Sequence, residues 1–162
     1  MTQRFKDFLP FIFDHECVYA KGHYGDLHYV IPEEVPGDAG GVTKFGCDYR
    51  EFSNKPFFLT IDDIRSLSLE HATDLYWQNW QRYNVENLAY PLGEVWFNCK
   101  VVSGASQANK ILERTDPDPV KFIIDQKRVN DLIIQAHPSY KKFLNGWNNR
   151  LDDLAKFVHI RI

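Results

Sequence analysis

Cysteine is scarce and poorly spaced for a framework. Cys17, Cys47 and Cys99 are the whole complement, an odd number with no CxxC pair. A disulfide scaffold is therefore excluded, and thiols in a reducing compartment are expected. No run of about 18 apolar residues exists, so no transmembrane helix and no membrane insertion is expected. The opening MTQRFKDFLPFIFD has an apolar stretch broken by Pro10 and closed by an acid. It lacks a sustained apolar run and a small-residue cleavage site, so it does not read as a signal peptide. The expectation is a chain made in the cytoplasm. Charge of one sign is also lacking: 19 Lys and Arg stand against 22 Asp and Glu, a net of −3. That balance argues against duplex nucleic acid, where phosphate neutralisation drives binding. GxGxxG and GxxxxGK[ST] are absent, as are internal repeats and low-complexity tracts.

What remains is ordinary globular material with many rings. The 162 residues are 44% hydrophobic, 25% charged and 15% aromatic. Such a chain buries roughly 70% of its unfolded surface and needs no staples. Phe5, Phe8, Leu9, Ile12 and Phe13 recur at steps of three and four, which predicts a helix over 4–16, with Pro10 as a start or kink. Residues 17–50 differ: Gly22–Asp26 offers a hairpin turn between short strand-like runs, and Pro32–Gly46 reads as a Pro- and Gly-dense loop. Thr60 with Asp62 and Asp63 opens a helix, and Ser68 caps the next, with Leu69, Ala72, Leu75, Tyr76 and Trp80 on one face. Helices follow over Gly93–Val102 and Ala105–Arg114, separated by Ser103-Gly104. After the TDPDP turn, Val120–Ala136 is periodic. The last helix is predicted from near Pro138 to Phe157, with Tyr140, Phe143, Leu144, Trp147, Leu151 and Leu154 as its core stripe. The fold class is mainly α, with a small β-hairpin region after the first helix.

Two places could carry chemistry. Glu16 stands at the C-terminal end of the first helix, where the negative end of the dipole favours a protonated carboxyl. Phe13, Val18 and Tyr19 can shield it from water. A carboxyl that keeps its proton is what protonation of a glycosidic oxygen requires. The alternative is a solvated surface Glu. Asp38 lies in GDAGGVTKFG, where glycines permit a shaped loop rather than a strand. Thr43 adds a hydroxyl that can donate and accept. Asp38 and Thr43 could position a water, or Asp38 could simply serve a Gly-rich turn.

These residues resemble glycoside hydrolase family 108, the N-acetylmuramidases found as phage endolysins and as bacterial proteins once called secretion activators. That family carries Glu-Gly-Gly-Tyr at the end of its first helix, then Asp-x-Gly-Gly-x-Thr-[Asn/Lys]-x-Gly. The second element stands intact here from Asp38 to Gly46. The first is altered to His15-Glu16-Cys17-Val18-Tyr19, keeping Glu and Tyr without the glycines. Glu16 and Asp38 stand 22 positions apart, where about nine are expected from the family pattern and a short hairpin. An insertion around His23–His28 accounts for the excess. Leu69–Tyr83, the segment from Phe97-Asn98 to Leu112, and FLNGWNNRL (Phe143–Leu151) continue the likeness over nearly the whole chain.

The resemblance implies a lysozyme-like domain over 1–114. Residues 115–162 would be a helical region resembling a peptidoglycan-binding module, packed with it as one unit. It implies Glu16 as catalytic acid, with Asp38 and Thr43 in water activation or cation stabilisation. Tyr19, Gly40, Gly41, Lys44, Trp77 and Asn98 are assigned to the substrate. Lys44 suits the anionic peptide carboxylates of the wall, and Trp77 suits sugar stacking, as do Trp80, Tyr83, Trp96 and Trp147. Helical spacing makes Trp80 and Trp147 core residues instead. The expected partner is the peptidoglycan glycan strand, met by a monomer without cofactor after holin-type or leaderless release. No metal is expected: His23 and His28 would face opposite sides of a hairpin, and their spacing fits no ligand pattern. Arg150 is expected in a structural role. A catalytically inactive wall-binding or secretion-accessory protein of the same fold is the alternative.

Overall fold

The structure, a computed structural model, describes residues 1–16 and 41–162. The expected hairpin at Gly22–Asp26 lies outside the described residues. Those described are mainly α-helical, with one small antiparallel hairpin after the first helix. They divide into two compact units, Met1–Asn79 and Trp80–Ile162. The TDPDP turn falls inside the second unit, linking two of its helices. Among the described residues no helix is long and apolar enough to cross a membrane.

The first unit starts with α1 (Gln3–His15), capped by Thr2, whose hydroxyl accepts from the Phe5 N–H at 3.3 Å. The helix runs through Pro10 instead of starting there. Phe5, Phe8, Phe11 and Ile12 are its buried face. Strands β1 (Thr43–Lys44) and β2 (Cys47–Asp48) pair Thr43 with Asp48 and Lys44 with Cys47. The expectation of a loop through Gly46 is thereby corrected. Phe45 and Gly46 form a two-residue turn, both at positive φ, 54° and 74°, as a primed hairpin turn demands. Phenylalanine seldom adopts that conformation, and burial of its ring to 2% exposure holds it there. Asp48 then caps α2 (Tyr49–Phe52).

Helix α3 (Ile61–Ser66) begins with a reciprocal capping box. Thr60 donates to Asp63 Oδ2 through its N–H at 2.8 Å and its hydroxyl at 2.6 Å, and the Asp63 N–H donates back to Thr60 Oγ1 at 3.1 Å. These bonds hold the Asp63 carboxyl below its ordinary value of 3.8. A carboxylate depressed in the folded state stabilises fully above its unfolded value and loses that contribution as pH falls through the folded one. The carboxyl of Asp63 is therefore expected to titrate below 3.8 by NMR, with α3 fraying as it does. A midpoint at or above 3.8 would contradict the capping box. Helix α4 (Leu69–Arg82) follows; the Ser68 hydroxyl accepts from the His71 N–H at 3.1 Å.

The second unit is built on α5 (Leu92–Ser103), buried on every side from Leu92 to Lys100. A helix buried all round belongs in the middle of its unit. It packs against α6 (Ala105–Arg114) and α7 (Pro119–Ala136). Burial pushes the Cys99 thiol up to about 12, leaving it protonated and inert. Asp118 caps α7, accepting from the N–H groups of Val120 and Lys121, with Pro119 in the first turn. Residues Pro138–Tyr140 form a 3₁₀ turn before α8 (Lys141–Phe157). The predicted core stripe holds only for the second half of α8, where Leu151, Leu154 and Ala155 are buried. Tyr140 and Phe143 are exposed, and Leu144 and Trp147 are half-buried. Periodicity marks a face, and here that face extends beyond the point where α7 and α8 have neighbours to cover it.

Candidate functional site

Glu16 is the C-cap of α1. Its N–H donates to Ile12 O at 2.9 Å and Phe13 O at 3.2 Å, which fixes its α-carbon at the end of the helix. The side chain is half-buried and lies against the hairpin turn. A Cβ placed on Gly46 would stand 2.6 Å from Glu16 Cγ, 2.8 Å from Glu16 Cβ and 2.5 Å from the Tyr76 hydroxyl. No real side chain tolerates such approaches. Gly46 thus serves two needs: a left-handed φ and a vacancy that the glutamate stem fills.

Tyr76 completes this corner. It comes from α4, is 2% exposed, and donates its hydroxyl to Phe45 O at 3.1 Å. Phe13, one turn before Glu16 on α1, meets the Tyr76 ring edge-on at 5.7 Å. Helix end, hairpin turn and α4 therefore converge on the glutamate stem. These contacts fix the Cβ and Cγ of Glu16 at the mouth of the hairpin turn.

The other predicted site residues are distributed unevenly. Thr43 is half-buried in β1 and donates its hydroxyl to Gly41 O at 3.2 Å, so its oxygen lone pairs are left to accept. Gly41 lies at φ 74° beside Tyr49. Lys44 donates its ammonium to Arg65 O at 3.1 Å, near the C-terminal end of α3, where helix carbonyls favour a cation. Trp77 is half-buried and packs on Phe5 at 5.1 Å between centroids. Asp38, Tyr19 and Gly40 lie outside the described residues, as do Cys17, His23 and His28. Among the described residues no group of three or more His, Cys, Asp or Glu could hold a metal.

Asn98 belongs to the second unit. It is fully buried and accepts from Arg150 Nε at 2.8 Å. Its own Nδ2 has no hydrogen-bond partner among the described residues. Arg150 here has the structural role its sequence suggested, tying α8 to α5. Asn98→Ala removes an acceptor from a cation, which costs about 1.5–3 kcal/mol. Denaturant unfolding should show that loss; a change under about 0.5 kcal/mol, the range of an ordinary surface substitution, would contradict it.

Sequence reasoning missed Tyr76 and the role of Gly46. Tyr76 read as one more ring on an apolar stripe. The available signal was its hydroxyl, which a buried tyrosine must hydrogen-bond.

The sequence matches no family model and no curated protein. Among solved structures, that of Brucella abortus SagA is similar, with a TM-score of 0.70 over 96% of this chain and 94% of the other. Sequence identity is 16%, so the likeness shows a shared fold.

Proposed function

We propose that this chain is a lysozyme-type N-acetylmuramidase, hydrolysing the β-1,4 bond between N-acetylmuramic acid and N-acetylglucosamine in peptidoglycan. The observation that carries the reading is the contact of Glu16 with Gly46. The glutamate that closes α1 and the glycine that closes DAGGVTKFG are 30 positions apart in sequence, yet the stem of one fills the gap left by the other. In the proposed reaction Glu16 gives its proton to the glycosidic oxygen. The bond from that oxygen to the anomeric carbon breaks, leaving an oxocarbenium-like centre. Water adds to that carbon and loses its proton to Asp38, while the Thr43 oxygen accepts a hydrogen bond from the water and orients it. No cofactor takes part. Similarity of fold to SagA supports the reading at the level of architecture.

The test is turbidity of a purified peptidoglycan suspension with wild type and Glu16→Gln. Clearing by the wild type alone is expected, with both proteins pelleting with the wall. Equal, negligible clearing with pelleting retained would instead identify a wall-binding accessory protein.

A further inference from the structure

We propose that the tip of the α7–α8 hairpin docks on an anionic lipid surface. The two helices are antiparallel, with Lys127 paired to Asp152 and Asn130 Nδ2 donating to Asn148 Oδ1 at 3.1 Å. On one side of that rung lies the buried packing of Phe122, Ile123, Leu151 and Leu154. On the other side, residues 131–147 carry large apolar groups into solvent. Leu132 is 50% exposed, Phe143 41% and Tyr140 37%, with Trp147 half-buried beside them. Exposed apolar clusters of this kind mark interaction surfaces. Lys141 and Lys142 are exposed on the same turn, and Asp131 is the one acid in the stretch. The chain as a whole is acidic at −3, so this cationic rim is local.

Three observations select the occupant. Aromatic rings with adjacent lysines are the composition that settles at a lipid headgroup boundary, lying on the membrane without crossing it. Sugar stacking needs open ring faces, and Phe143 and Trp147 turn one face of each toward the other. Phe143 and Trp147 stack on each other at 6.0 Å and 24°, and the Lys142 ammonium sits 4.9 Å from the Phe143 centroid. A second copy is disfavoured, since an isologous contact across this tip would set Lys141 and Lys142 against their own counterparts.

The test uses the full chain sedimented with vesicles of phosphatidylcholine, alone or mixed with phosphatidylglycerol. Binding to the mixed vesicles is expected, weakening as salt rises. Lys141→Ser with Lys142→Ser should weaken it about thirtyfold, from the usual contribution of a lysine near an anionic surface. Phe143→Ser should weaken it about tenfold or more, and Phe143→Trp should preserve it. All these positions are exposed, so an unchanged melting curve is expected as a check on folding. Absence of sedimentation, or equal binding to phosphatidylcholine alone, would overturn the proposal. So would a concentration-dependent dimer, or peptidoglycan pelleting, that Phe143→Ser abolishes while vesicles are ignored. None of these outcomes depends on whether Glu16 is catalytic.

Discussion

Alanine at Gly46 is expected to destabilise the protein by about 2–4 kcal/mol and to displace Glu16. Two costs combine. An alanine at φ 74° carries left-handed strain of roughly 1 kcal/mol. Its methyl also enters space already held by the Tyr76 hydroxyl and the glutamate stem, and overpacking of that kind typically costs about 1–3 kcal/mol. Tyr76 cannot yield easily, because its ring is buried and its hydroxyl is bonded to Phe45 O. Gly41 supplies the control. It shares φ 74°, but among the described residues the atom nearest an added Cβ is Tyr49 Cβ, at an ordinary 3.8 Å. Gly41→Ala should therefore show the strain alone. Denaturant unfolding of the two variants separates the terms; equal losses would mean that the contact with Glu16 contributes nothing.

Under the proposed muramidase reaction, hydrolysis should respond more sharply still to Glu16→Gln. A positioned general acid contributes about 10²–10⁴-fold to rate, and an amide of the same shape cannot supply the proton. The stem contact with Gly46 is kept in this variant, so its loss of stability should be smaller than that of Gly46→Ala. Gly46→Ala should also slow hydrolysis, by about 10²-fold if the carboxyl moves by an ångström. The pair of variants thus distinguishes loss of the proton donor from loss of its placement. Wild-type rates in Glu16→Gln would remove Glu16 from the chemistry.

Local signals made most of the helical frame legible. Thr60 and Asp63 announce α3, Ser68 announces α4, Gly104 parts α5 from α6, and the TDPDP turn delivers the chain into α7. Each depends on residues within one turn of the boundary. The hairpin at Thr43–Asp48 was hidden because Phe45 sits in a backbone region that glycine or asparagine would ordinarily occupy. Its strain is offset by burial that only the folded unit supplies. Tyr140, Phe143 and Trp147 carried the pattern of a core face, but a helix pattern does not say how far its neighbour extends. Glu16 was legible through its place at a helix end and its likeness to a known motif. Its contact with Gly46 and Tyr76 was not, since it joins segments far apart in sequence.

The chemistry of the cut ends decides the central claim. Peptidoglycan digested with the wild-type chain and analysed by mass spectrometry should yield muropeptides ending in reducing N-acetylmuramic acid, and Glu16→Gln should yield none. Fragments ending in reducing N-acetylglucosamine, cleavage confined to the peptides, or identical products from both proteins would contradict it.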